Sequence, residues 1–153
     1  MICYLGLGSN LGNRTAQIDE AVSKLNDLNN IQVLKISDKL ETKPAGYTEQ
    51  PDFINCVLEI ETDLDPEILL KKILRIEEDM GRKHNFKWGP RKIDIDILFY
   101  GDQVITSSKL IIPHRELHKR KFVLDSLVEL SPDFVHPVLG KTIRDIHGDL
   151  CQK

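Results

Sequence analysis

Apolar side chains alternate with polar ones in some stretches of this chain and recur every third or fourth residue in others. Residues 2–8 are almost continuously apolar and predict a first strand. Behind Asn13, a residue type that caps helices, Ile18, Ala21, Val22, Leu25 and Leu28 follow helical spacing and predict a helix with one buried face. Residues 31–42 predict a second strand, in which Ile31 and Val33 keep one phase and Leu34 and Ile36 the other. A bulge or twist would reconcile the two phases. Ile54, Cys56, Leu58 and Ile60 then alternate with Asn55, Val57, Glu59 and Glu61, so Phe53 and Asn55 share the face opposite the core. A second helix opens at Asp65 and Pro66, buries Leu69, Ile73, Ile76 and Met80, and closes at Gly81. In the next strand Ile93, Ile95 and Ile97 occupy one face and Asp94 and Asp96 the other. One face is therefore core and the other a site. A turn at Gly101-Asp102 leads to a hairpin through Val104 and Ile105 that extends the sheet. Val123, Leu124, Leu127, Val128 and Leu130 predict a buried helix, and the remainder a loop and a short helix.

This order, strand, helix, strand, strand, helix, strand, predicts an α+β fold with a ferredoxin-like split β-α-β core. Its sheet is mainly antiparallel with two helices on one face, extended by a C-terminal hairpin and helices. At 153 residues the chain is expected to form one domain, 1–153, large enough to bury a core without disulfide or metal staples. A hydrophobic fraction of 41% and a charged fraction of 29% describe an ordinary globular protein. A net charge of -3 argues against a general nucleic-acid binder, which needs a basic excess to neutralise phosphates. The start of the chain lacks the features of a signal peptide or a spanning helix, so a cytoplasmic protein with no membrane partner is expected. Cys3, Cys56 and Cys151 show no metal-ligand spacing and predict free thiols.

The chemistry is concentrated in residues 87–101, KWGPRKIDIDILFYG. A lone D-x-D is usually the solvated face of a strand. Here Trp88, Gly89, Pro90 and Arg91 stand just before it, and Arg82, Lys83, His84, Lys87 and Lys92 gather further positive charge. Two fixed carboxylates repel unless a cation lies between them, and with no Cys or His in the run the implied ion is hard, Mg²⁺. Acids beside guanidinium groups suit a polyphosphate carrying Mg²⁺.

The run WGPRKIDIDIL resembles the signature of the 6-hydroxymethyl-7,8-dihydropterin pyrophosphokinase family. Three further matches follow in chain order, GLGSNLGNR (6–14), ETKPAGYTEQPDFIN (41–55) and IPHRELHKRKFVL (112–124). The resemblance implies Mg-dependent transfer of pyrophosphate from ATP to 6-hydroxymethyl-7,8-dihydropterin, with AMP released and two Mg²⁺ ions held by Asp94 and Asp96. It implies catalytic roles for Arg82, Arg91, Asp94 and Asp96. For ATP it implies contacts from Leu70, Glu77, Arg82, Trp88, Arg91 and Ile97, and from Lys109, Leu110, Ile111, His114, Arg115 and Arg120. For the pterin it implies Thr42, Pro44, Ala45, Phe53 and Asn55, with Trp88, Asp94 and Phe122. Phe53 and Phe122 would stack on the ring and Asn55 would meet its polar edge. The chain departs from the family pattern at Phe53, where Tyr is common, at residues 83–86, where further basic residues are usual, and at Lys109, which replaces Arg.

ATP and the pterin are the expected partners of a monomer or weak dimer. The rival reading is a non-catalytic ferredoxin-like domain that binds a regulatory ligand or RNA. It lacks support here, because no aromatic K/R-G-F-G-F strand is present and a regulatory module needs no paired acids beside arginines.

Overall fold

The strand β1 (Ile2–Ser9) lies inside the sheet because its near-continuous apolar sequence can be buried on both faces. In the computed structural model, which describes residues 1–43, 49–81 and 92–151, its two neighbours are β4 (Phe53–Thr62) and β5 (Asp94–Tyr100). β2 (Ile31–Ile36) pairs with the far side of β4, giving the order β2-β4-β1-β5, and β3 (Leu40–Thr42) also pairs with β4. Every one of these pairings is antiparallel. The mainly antiparallel α+β architecture expected from the pattern is therefore present.

The helices α1 (Arg14–Asn26) and α2 (Pro66–Asp79) cover one face of the sheet. Ile18, Ala21 and Leu25 of α1 and Leu69, Ile73 and Ile76 of α2 pack on Leu5, Leu7, Leu58, Ile60, Ile95 and Ile97. Asn13 caps α1 by accepting a hydrogen bond from the Ala16 amide at 3.1 Å. Pro66 stands in the first turn of α2 and Gly81 follows its end at a φ of 83°, as the sequence predicts.

The opposite face is divided between core and cleft, which corrects the expectation that it is wholly a site. α3 (Lys121–Leu130) and α4 (Ile143–Cys151) cover its far half, burying Leu124, Leu127, Ile143 and Ile146 against Tyr4, Leu98 and Phe99. Those apolar stripes have to be covered by something, and the sheet supplies the surface. The near half, where β1, β4 and β5 carry Gly8, Asn55 and Asp94, stays open.

Two expectations about strand continuity change, and the expected irregularity in β2 is present. Residues 31–42 form two strands, because the Ser37 amide and hydroxyl both turn to Val57 of β4 instead of continuing the run. The phase conflict in β2 is a bulge, with the register shifting between Val33 and Lys35. The segments β6 (Ile105–Thr106) and β7 (Ile111–Ile112) form a separate two-stranded sheet and do not extend the main one. Pro113 directly after β7 has no amide hydrogen with which to continue a ladder on β5.

Candidate active site

β5 has a bulge of its own. Tyr4 pairs with Phe99 and Leu5 with Ile97, so Leu98 has no partner in the ladder. Leu98 and Phe99 consequently both join the α3/α4 core, while Asp94 and Asp96 keep the alternation that turns them into the cleft. The Leu98 carbonyl accepts the His114 amide at 3.0 Å, which brings His114 to the side of the acid strand. Its Nδ1 accepts the Glu116 amide at 3.2 Å, so the ring proton sits on Nε2, 3.9 Å from Asp96 Oδ2. Burial lowers the His114 pKa from its ordinary value, and the Arg120 guanidinium lowers it further. The ring is therefore a neutral donor at neutral pH.

A cavity of about 500 Å³ opens on this side of the sheet. Its floor comes from three adjacent strands: Gly6 and Gly8 of β1, Phe53 and Asn55 of β4, and Asp94 and Asp96 of β5. Gly6 is the cross-strand partner of Asp96 and Gly8 of Asp94, so no side chain stands opposite either carboxylate. Asn55 donates a hydrogen bond to the Thr42 hydroxyl, orienting its amide in the cavity wall. The roof is the short 3-10 turn Leu117–Lys119 and the start of α3, with Lys119, Arg120, Lys121 and Phe122 facing inward. Lys119 and Lys121 also pair with Glu116 and Asp125, at 3.9 and 3.1 Å, whereas Arg120 has no ion-pair partner among the described residues. The α3 N-terminus adds the positive end of a helix dipole.

A second cavity, about 400 Å³, lies past β5. Leu70, Ile97, Leu110 and Ile111 give it apolar walls, and Lys109, Arg115, Ser107 and Ser108 line its mouth. Asp96 and His114 line both cavities, forming the partition between them.

The residues expected to hold a pterin therefore divide from those expected to hold a nucleotide. Thr42, Phe53, Asn55, Asp94 and Phe122 all line the first cavity. Leu70, Ile97, Lys109, Leu110, Ile111, His114 and Arg115 all line the second. Arg120, expected on the nucleotide, lines the first cavity and not the second. Glu77 lines neither cavity: it is 2% exposed, and its carboxylate accepts the Ile95 amide at 2.9 Å, between the two aspartates. Pro44, Ala45, Arg82, Trp88 and Arg91 lie outside the described residues. Gly6, Gly8, Lys43, Ser107, Ser108, Lys119 and Lys121 also line the cavities, beyond the residues expected from the sequence. Gly6 and Gly8 could have been found, because two glycines at i and i+2 of a strand mark one bare face.

Residues 4–132 match the family model described as 7,8-dihydro-6-hydroxymethylpterin-pyrophosphokinase (HPPK). The chain is 45% identical over 142 residues to the 2-amino-4-hydroxy-6-hydroxymethyldihydropteridine pyrophosphokinase of Aquifex aeolicus, covering 93% of this chain and 88% of that one. It is 44% identical over 144 residues to the folic acid synthesis protein fol1 of Schizosaccharomyces pombe, covering 94% of this chain but 20% of that much longer protein. In shape it resembles the crystal structure of Plasmodium falciparum HPPK-DHPS with pteroate, at a TM-score of 0.78 and 20% identity, over 97% of this chain and 42% of that one. At that identity the likeness speaks for the fold.

Proposed function

The chain belongs to the 7,8-dihydro-6-hydroxymethylpterin-pyrophosphokinase family, and on that premise we propose that its cleft moves the β,γ-pyrophosphate of ATP onto the hydroxymethyl group of 6-hydroxymethyl-7,8-dihydropterin. AMP is the other product, and the reaction belongs to folate biosynthesis. The protein is a transferase of the kinase type. The observation that carries this reading is the shared partition, since Asp96 and His114 stand where two differently lined cavities meet. A transfer between two bound substrates needs such a boundary.

The flat pterin fits between Phe53 and Phe122, with the Asn55 amide at its polar edge. Pro44, Ala45 and Trp88 complete that wall by the resemblance. The nucleotide base lies against Leu70, Ile97, Leu110 and Ile111, and its phosphates run toward Asp96. Lys109, Arg115 and Arg120, together with Arg82 and Arg91, hold the phosphate charge. Glu77 serves the nucleotide side from behind, by fixing the Ile95 backbone. His114 offers its Nε2 proton to a phosphate oxygen. The pterin hydroxyl attacks the β-phosphorus in line and AMP departs, with no covalent enzyme intermediate.

Asp94 and Asp96 offer oxygen donors only, a set suited to a hard divalent cation, which we read as Mg²⁺, two ions per site. Among the described residues no cluster of three His, Cys, Asp or Glu could hold a metal by itself, so phosphate oxygens and water would complete the coordination. When bound, the metal neutralises phosphate charge and steadies the oxygens that attack and leave.

We further read the core as ferredoxin-like, which the order β2-β4-β1-β5 with α1 and α2 as crossovers supports. We read residues 1–153 as one domain, monomeric or weakly dimeric, with no nucleic-acid partner. A cytoplasmic location is supported by free thiols at Cys3, Cys56 and Cys151, and no helix among the described residues is long and apolar enough to cross a membrane. The experiment is ³¹P NMR of the purified protein with ATP, Mg²⁺ and the pterin alcohol. AMP and a pterin diphosphate are expected, and formation of ADP, or no turnover, overturns the reading.

A further inference from the structure

The glycine-rich turn after β1 touches neither cavity beyond Gly8, yet it reaches the segment that delivers Phe53 and Asn55. The β1/β4 ladder ends at the pair Ser9 and Ile54. One residue further on, the Asn10 side chain takes over from the ladder. Its Nδ2 donates to Gln50 Oε1 at 2.7 Å and to the Pro51 carbonyl at 3.1 Å, and the residue is 1% exposed. Arg14, at the start of α1, donates from Nη1 to the Asp52 carbonyl at 2.8 Å, and the same nitrogen lies 3.5 Å from Glu41 Oε1. Glu41 and Asp52 stand at opposite feet of the segment that runs from β3 to β4. One guanidinium thus ties both feet together. Next to those feet, Thr42 of β3 and Asn55 of β4 are joined by their own hydrogen bond.

We propose that Asn10 and Arg14 are positioning residues for the pterin end of the site: they fix residues 50–52, and so pre-set the Phe53 ring and the Asn55 amide before substrate arrives. The inference rests on the pterin reading above and goes further, since it gives two polar residues of the motif GLGSNLGNR a task in the site. Two consecutive carbonyls held by two side chains leave the entry to β4 little freedom. A substrate that stacks and hydrogen-bonds there does not have to order it. The bracket acts on the pterin side, because Phe53 and Asn55, which follow the residues it holds, line the first cavity and not the second.

The test compares wild type with Asn10→Ala, Arg14→Ala and Arg14→Lys, following pterin-alcohol affinity by fluorescence, ATP affinity by calorimetry and Tm in parallel. Asn10→Ala and Arg14→Ala should each weaken pterin binding about tenfold, the scale set by a lost hydrogen bond and a slightly misplaced contact, while ATP affinity stays within about twofold. Arg14→Lys, which keeps one donor and the charge beside Glu41, should recover part of the loss. Arg14 is partly exposed at a helix start, so its alanine variant keeps the test decisive even if Asn10→Ala folds poorly. Wild-type pterin affinity in Arg14→Ala, or equal losses of pterin and ATP affinity, would overturn the bracket. Failure of the wild type itself to bind the pterin alcohol would sink the proposed function and the bracket with it.

Discussion

At position 8 there is room for a hydrogen and little else. A Cβ built there would lie 2.7 Å from Asn55 Oδ1, closer than real Cβ contacts come. The obstacle is a side chain at a cavity wall, so Gly8→Ala should fold while pushing the Asn55 amide off its hydrogen bond with Thr42. A cost of about 1 kcal/mol in pterin binding follows from a displaced hydrogen-bonding group of this kind. The expected outcome is a raised KM for the pterin alcohol with KM for ATP and Tm near wild type. An unchanged pterin KM would contradict the role given to Asn55. The paired aspartates were legible in the sequence because a strand alternates its side chains with period two, whereas alternation put Phe53 on the open face and only the family resemblance gave it a role there. Glu77 was legible only as a charged residue near a helix end. Its burial depends on a backbone amide eighteen residues away, and no local pattern announces a partner of that kind.

Among the elements, the turn that joins α3 to α4 offers a titration that is independent of the site. His136 is 4% exposed, and its Nδ1 accepts the amides of Val138 and Leu139, each at 3.1 Å. Burial, with a smaller effect from His118, lowers its pKa from the ordinary value. The sign follows directly. As pH falls below about 6.5 the unfolded chain takes up a proton that the folded turn resists, so stability declines through the folded pKa and then levels off. His114, also lowered, contributes in the same direction. Thermal melts from about pH 7.5 to about pH 5 should show a shallower fall in Tm for His136→Asn than for wild type. Parallel curves would show that the turn does not depend on a neutral imidazole. Element existence was largely readable from periodicity, whereas continuity was not. Ser37, Asp38 and Lys39 are too few to signal a break between β2 and β3. The apolar run Leu98, Phe99, Tyr100 hides a bulge that places its first two side chains on one face and Tyr100 on the other.

Over the whole molecule, one face of the sheet has a covered half and an open half, and the reaction proposed above belongs to the open one. The sequence contains the apolar stripes of α3 and α4 but not the face they choose, since that is decided by which surface the first two helices leave uncovered. Burial holds the Cys3 thiol up to about 12 and the Cys56 thiol up to about 11, so neither offers a nucleophile to the cleft. In the proposed reaction Asp96, on the partition between the two cavities, carries transfer and leaves pterin recognition to Phe53, Asn55 and Phe122. The measurement that tests it most directly is turnover and pterin affinity side by side in Asp96→Asn, a change that keeps size and removes charge. AMP formation should fall by about 10²-fold or more, on the scale of a lost electrostatic contact to the transition state, with pterin affinity near wild type. Turnover that survives at saturating substrates while pterin binding is lost would contradict it.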